Sequence, residues 1–521
     1  MMKRFRPWWQ QDKRYMVFTQ AVLLALLPVL CCFVRCALDG ETISSVWLPA
    51  GAWSDELLYY KQTEGIVHYG WPRGIFDFNE GHGPNSSAVM SNPIPVLPWV
   101  IWGLLFGWKL WSPVVCNIVL TSLACFLFVL LVKPAWKQLG ILALLFSLYT
   151  PFTRYMLSGM PEVLCFDMVI LFYALAVNYL ERKRIRKLVL LFVLGVFMTL
   201  MRPWLLLFLL LPSRLWIRRD GWRGFWGSAA VLGVSLGLCI WAGSGPETDF
   251  AGPLYAAKRI RESMVQGLRT GLPGGAFLCS CALLFCILAG QSLLDRRRFR
   301  RLSRDSEDSV VRDEENVTER RRLYNRLVIQ VHLMICYAAV FLGMLFLYGP
   351  EEGGRQLPVF ITAGIFAAAL MDAGYCVKAA VLSAFFAYLY LYLPADSLYY
   401  ELPYRQEEKA EQLAEWEETF EIKLELNRES GVSAYDNTVI WALQEETPEE
   451  GLSYTGWQLL YALPEGFGIS FCTPEYAAEN FDALESGYMA VLPGDSLDRM
   501  CADAGYREIG RDEALVIYRL R

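Results

Sequence analysis

The chain has 521 residues, 55% of them hydrophobic and only 19% charged, with a net charge of −5. Its apolar residues come in blocks of roughly 15 to 24, close to the 20 or so that a helix needs to cross a bilayer core of about 30 Å, which excludes a soluble multidomain protein. Residues before Asp396 hold 39 Lys/Arg against 26 Asp/Glu, whereas those from Asp396 onward hold 9 against 27. A basic membrane portion with an acidic tail implies opposite faces of a membrane and no nucleic-acid partner.

The first block, YMVFTQAVLLALLPVLCCFVRCAL from Tyr15, follows Lys3, Arg4, Arg6, Lys13 and Arg14. It is longer than a signal-peptide core and lacks a small-x-small cleavage pattern, so it reads as an uncleaved first span with the N-terminus in the cytoplasm. A large loop, residues 39–93, comes next. The segment IPVLPWVIWGLLFGW (94–108) is short and has two prolines in its first five residues; it reads as a helix lying in or dipping into the outer leaflet.

Further apolar segments fall near 113–132, 138–152, 160–180, 187–201, 204–217, 225–243, 275–294, 325–348, 357–374 and 378–394. The basic loops KPAWK, ERKRIRK, SRLWIRRDGWR, and DRRRFRRLSRD with ERRRLYNR belong inside by the bias of Lys and Arg towards the cytoplasm. Together with the first span this predicts about eleven transmembrane helices, with loop 39–93 and the C-terminus outside. Residues 295–323, dense in charge, are expected to be a mobile cytoplasmic connector.

The tail, 395–521, opens with the Glu-rich EEKAEQLAEWEETFEIKLEL, and then offers strand-like NTVIWALQ, GYMAVLPG and ALVIYRL and helix-like SLDRMCADAG. It predicts a small extracytoplasmic α/β domain. Most of the 14 cysteines lie in apolar blocks and no CxxC spacing occurs, so no zinc site is expected; Cys472 and Cys501 are a candidate disulfide if the tail is exported.

The first loop contains WSDELLYYKQTEGIVHYGWPRGIFDFNEGHG, unusually rich in charge and aromatic rings. Ser54 is a plausible N-cap, with Asp55 and Glu56 in the first turn near the exposed N–H groups. Helical spacing then places Asp55 with Tyr59 and Glu56 with Tyr60. By itself this could be a well-started surface helix.

Several elements add to D-E-x-x-x-Y. The loop continues through His82 in HGPNSSAVMSNPIP. RYMLSGMPEVLCFD offers Arg154, Glu162 and Asp167, TLMRPW offers Arg202, and EGGRQLPVF offers Arg355 and Pro358. In this pattern residues 15–394 resemble the GT-C class of glycosyltransferases, in particular the branch of protein O-mannosyltransferases and lipid A aminoarabinose transferases. Two departures stand out: the His/Lys-Pro-Pro element is stretched and serine-rich, and Gln356 occupies a position usually held by Tyr. The resemblance implies a GT-C-like transmembrane catalytic domain (1–394) that takes a sugar from a polyisoprenyl phosphate carrier at the outer membrane face, with Asp55 as the catalytic carboxylate. It implies no cofactor. Asp55, Glu56, His82 and Glu162 could converge on a divalent ion, as in the oligosaccharyltransferase branch, but the nearer branch implies no metal.

The residue types suit that chemistry. A base must take the acceptor hydroxyl proton, for which Asp55 is the candidate. Cations must meet the charge that grows on the departing phosphate, and Lys61, Arg202 and Arg355 are candidates, the two arginines through paired donors. Glu56, Tyr60, His82 and Glu162 complete the expected substrate-binding set. Bland readings stay open: Arg202 also reads as snorkelling, Glu162 as a carboxylate placed for a helix dipole, and Asp167, costly in lipid, as facing a polar interior. For the whole chain the alternative is a polytopic transporter or lipid flippase. The acceptor, a cell-envelope polymer, a lipid or a protein, is not specified.

Overall fold

A computed structural model describes residues 8–46, 55–70, 76–80, 93–243, 272–308, 314–346, 434–443, 467–511 and 515–520, with a few isolated positions besides. The protein is mostly helical with a small C-terminal sheet. The segments expected at 357–374 and 378–394, the Glu-rich stretch, His82 and Arg355 lie outside the described residues, apart from a few single positions in the first segment.

Four described helices are long and apolar enough to cross a membrane: Tyr15–Leu38, Ser112–Val132, Glu162–Arg182 and Asn316–Gly343. The chain is a multi-pass membrane protein. The first of these is the main part of α1 (Trp8–Leu38), and only 28% of its apolar window is buried, against 83% for α7 (Glu162–Arg182). An apolar face left uncovered by protein suits lipid, so α1 is peripheral and α7 is the axle of the bundle. α7 packs against α4 (Ser112–Val132) along a seam that includes Thr121 and the buried Asp167. Asp167 thus faces protein, as its cost in lipid requires.

Between α1 and α4 lie α2 (Asp55–Tyr69), a short strand β1 (Phe76–Phe78) and α3 (Leu97–Phe106). At 1.5 Å per residue, the ten residues of α3 rise about 15 Å, half the bilayer core, in keeping with a helix that does not cross. It is pinned to α4 by the Trp99 Nε1 donor on Asn117 Oδ1 at 2.9 Å.

After α4 come α5 (Trp136–Leu148), α6 (Thr150–Met156), α7 and α8 (Ile185–Met201). A 3₁₀ turn, Pro203–Leu209, follows, and then α9 (Leu210–Asp220) and α10 (Trp222–Gly243). The 3₁₀ turn folds tightly back on α8: a Cβ on Gly195 would come within 2.5 Å of Leu209 Cδ2. Two long helices, Leu272–Asp308 and Glu314–Phe346, form an antiparallel pair. The charged connector 295–323 is therefore helical in its described residues. Its charges pair across the two helices, with Arg298 on Glu319 and Arg326 Nη2 on the buried Asp295 at 2.6 Å. Low apolar content alone reads as loop; cross-helix pairing is what composition does not reveal.

Among the described residues the C-terminal sheet has six strands in the order β1-β5-β2-β6-β8-β7. β2 (Thr438–Trp441), β5 (Gly468–Phe471) and β6 (Tyr488–Val491) run parallel, and β8 (Val516–Arg519) and β7 (Arg507–Arg511) join antiparallel. A separate two-stranded ribbon pairs β3 (Glu446–Thr447) with β4 (Gly451–Leu452). Tail strands expected from NTVIWALQ, GYMAVLPG and ALVIYRL are β2, β6 and β8, and SLDRMCADAG forms the helix Ser496–Asp503. The outer strand β1, however, comes from the first loop and pairs with β5 in register Phe76↔Ile469, Asp77↔Ser470 and Phe78↔Phe471. First loop and tail share one sheet, so they lie on the same side of the membrane.

Cys472 and Cys501 are not bonded to each other but are buried thiols of this domain's core. Cys501 Sγ faces Met489 Sδ at 3.7 Å, and burial, with Asp498 and Asp495 nearby, pushes its thiol up to about 12. The pairing expected if the tail is exported is thus absent, because the apolar core takes the thiols as small hydrophobic groups.

Candidate functional site

Three places in the chain bring the expected residues together. The first is the start of α2, whose opening residue is Asp55. The second is the tight turn Leu157–Pro161 before α7: Asn117 Nδ2 donates to Ser158 O at 2.9 Å, and Ser158 Oγ accepts from Met160 N at 3.2 Å. Pro161 then ends the turn, and Glu162 takes the first helical position of α7, where unpaired N–H groups favour a carboxylate. The third is the break between α8 and the 3₁₀ turn. Pro203 bars the preceding residue from helical geometry, and Arg202 is accordingly extended at φ −146° and ψ 121°.

These three places touch. The Gly159 N–H donates to Glu56 Oε2 at 3.2 Å, joining α2 to the turn. Arg202 Nη2 donates to Glu162 Oε1 at 2.7 Å and to the Tyr59 hydroxyl at 2.8 Å, and the guanidinium carbon lies 5.5 Å from the centroid of the Tyr59 ring. Glu162 is 3% exposed in its side chain and Arg202 is 23% exposed, so the carboxylate is sealed while the guanidinium keeps an accessible side.

The donor count decides what this arrangement can do. A guanidinium carries five N–H donors; both known contacts use Nη2, and Nε and Nη1 have no hydrogen-bond partner among the described residues. Glu162 Oε2 likewise has none among them. An arginine held in place by one nitrogen, with its remaining fork open, is prepared for an anion with two oxygen acceptors.

Of the sequence-derived set, Glu56, Glu162 and Arg202 meet in one cluster. Asp55 begins the helix that carries Glu56 and Tyr59, while its side chain is outside the described residues. Lys61, expected among the phosphate-facing cations, is buried and engaged elsewhere: its Nζ donates to Glu64 Oε2 at 2.7 Å and to Leu463 O at 3.3 Å. Tyr60 is packed on Trp108, with ring centroids 5.3 Å apart. Its neighbour Tyr59 reaches Arg202. The signal for Tyr59 was the helical spacing itself, because position i+4 from Asp55 shares its face. Among the described residues no three His, Cys, Asp or Glu side chains gather as a metal-ion site.

No protein-family model matches the chain, and no curated protein matches it. Two solved structures are similar in fold, ArnT from Cupriavidus metallidurans in the apo state and the same protein bound to undecaprenyl phosphate. Each is 11% identical and has a TM-score of 0.40, with 95% of this chain and 97% of that chain covered. An overlay that loose carries no weight for mechanism, which rests on the cluster around Arg202.

Proposed function

We propose that the protein is a membrane glycosyltransferase that moves a sugar from a polyprenyl-phosphate donor to an acceptor hydroxyl at the outer membrane face. The single observation behind this reading is the half-open guanidinium of Arg202, fixed by Glu162 and Tyr59 with Nε and Nη1 uncommitted. Asp55 stands one turn before Tyr59 on the same face of α2, where side-chain origins are about 5–6 Å apart. A phosphate bound to Arg202 would therefore lie near the start of α2.

In the reaction, Asp55 takes the proton of the acceptor oxygen as that oxygen attacks the anomeric carbon. The sugar–phosphate bond breaks, and Arg202 stabilises the charge that collects on the departing carrier phosphate. Glu162 keeps Arg202 aimed, Glu56 ties α2 to the bundle, and Tyr59 links the base-bearing helix to the cation. His82 and Arg355 are proposed as further contacts to the donor. The topology proposed is about eleven spans, with the first loop and tail outside, as the basic loops require. No cofactor or metal is assigned a step.

The test is transfer of radiolabel from polyprenyl-phosphate sugars by membranes carrying the wild type or Asp55→Asn. Loss of a general base typically costs about 10²–10⁴-fold, so label transfer should fall by at least a hundredfold in the variant. Equal transfer by both would discard Asp55 as the base, and label crossing the bilayer without transfer would favour a flippase.

A further inference from the structure

The first loop is joined to the tail by more than strand pairing. After β1, Asn79 and Glu80 both adopt left-handed backbone angles, φ 57° and 47°, a conformation that side-chain-bearing residues rarely take unless their surroundings hold them there. Asn79 N donates to Phe471 O at 2.9 Å, the Tyr476 hydroxyl donates to Asn79 O at 2.9 Å, and Glu80 N donates to Ser470 Oγ at 2.9 Å. The turn aims the Glu80 carboxylate at the segment before β6. There it accepts from Glu485 N at 2.9 Å, Ser486 N at 2.8 Å and the Ser486 hydroxyl at 2.6 Å. Ser486 is fully buried. An edge strand needs only its main chain to join a sheet, so a three-donor socket for one side chain exceeds what pairing demands.

Helix α2 is tied to the same outer domain and to the bundle. Lys61 Nζ reaches Leu463 O from within α2, and α2 ends at Tyr69, only seven positions before β1 begins at Phe76. At its other end, Glu56 binds the Gly159 N–H of the bundle. The helix that begins with Asp55 thus bridges the bundle and the outer sheet.

We propose that Glu80 is a positioning residue: its insertion into the Glu485–Ser486 socket locks the outer sheet to the first loop and so fixes α2, and Asp55 with it, against Arg202. This rests on the glycosyltransferase reading for its catalytic consequence, while its mechanical part stands apart from that reading. Glu162 of the bundle still holds Arg202 when the Tyr59 contact loosens, so loosening the socket displaces the base more than the donor cation. The kinetic signature is a fall in kcat with little change in donor KM.

The experiment compares the purified full-length wild type with Glu80→Ala, Glu80→Gln and Ser486→Ala, the last removing a single hydroxyl if the larger changes impair folding. Hydrogen exchange at the amides of residues 61–69 reads the mechanical link, and kcat and KM for a polyprenyl-phosphate sugar read the catalytic one. Exchange should rise in α2 for every variant and most for Glu80→Ala. There kcat should drop roughly tenfold or more, since small misplacements of reacting groups carry large costs, with donor KM within about twofold. Glu80→Gln, which keeps the acceptor oxygen, should recover part of the rate. Unchanged exchange in α2 overturns the proposal, and so does raised exchange with unchanged kcat in an active enzyme. If even the wild type transfers no sugar, the glycosyltransferase reading falls, and the exchange data still decide whether Glu80 holds α2.

Discussion

The molecule contains the same three side-chain types, an arginine, a carboxylate and a tyrosine, assembled twice with opposite outcomes. In the C-terminal domain Arg511 Nη1 and Nη2 donate to the two oxygens of Asp498 at 3.0 and 2.9 Å. The Tyr518 hydroxyl donates to Asp498 Oδ1 at 2.6 Å, and Gly494 N donates to Oδ2 at 2.7 Å. Every oxygen of that carboxylate is engaged, and the cluster pins the helix Ser496–Asp503 to β7 and β8. In the helical bundle Arg202, Glu162 and Tyr59 share one nitrogen and leave a carboxylate oxygen and two donor nitrogens uncommitted among the described residues. A saturated cluster is a structural clasp. An unsaturated one, partly open to solvent, is held ready for something that arrives.

Matched substitutions in the two clusters separate their roles. Arg202→Lys keeps the charge but loses the fork, and the rate of sugar transfer should fall roughly tenfold to a hundredfold. Arg511→Lys in the same assay should leave transfer unchanged while lowering the unfolding temperature of the purified protein. The reverse pattern would dissolve the distinction. A smaller effect is expected from Glu162→Gln. It removes the charge that holds Arg202 Nη2, so the guanidinium loses its fixed aim, and kcat/KM for the donor should drop by about tenfold, measured in initial-rate assays.

The outer clasp gives the mildest effect, and one that depends on pH. Hydrogen bonding to Arg511, with further bonds from Tyr518 and Gly494 outweighing burial, holds the Asp498 carboxyl down to about 2. A depressed folded-state value means that ionised Asp498 stabilises the fold above the ordinary Asp value of about 3.9. That contribution is lost as the pH falls from about 4 through about 2. Asp498→Asn should destabilise the C-terminal domain by about 1–3 kcal/mol at neutral pH and flatten this acid limb in thermal-melt profiles.

Much of this was legible in the sequence, and the residues show why. β2, β6 and β8 announce themselves as short β-branched and aromatic runs, and α7 as a long apolar block that Pro161 and Glu162 begin. Arg202 was marked by the resemblance, which has a basic residue before a proline, and the extended backbone it adopts is what a following proline favours. By contrast, β1 is three residues long, and its partner strand lies nearly 400 positions away. No local periodicity could announce that pairing. The exchange of Tyr60 for Tyr59 has a simple cause: one residue turns a helix by about 100°, enough to move a ring from Arg202 to Trp108. Lys61 is taken out of the phosphate-facing set by Glu64, three positions on in the same helix, and by Leu463 O some 400 positions away, a partner that no local pattern announces.

On the proposed mechanism, the open side of Arg202 takes the phosphate of the lipid donor, separately from the base on α2. Equilibrium binding of polyprenyl phosphate to the purified full-length protein tests it most directly, with wild type, Arg202→Ala and Asp55→Asn titrated in parallel. Affinity should fall at least about tenfold for Arg202→Ala, in line with the worth of a charge-assisted contact, and stay within about twofold for Asp55→Asn. Arg202→Ala binding the lipid as tightly as the wild type would contradict the account.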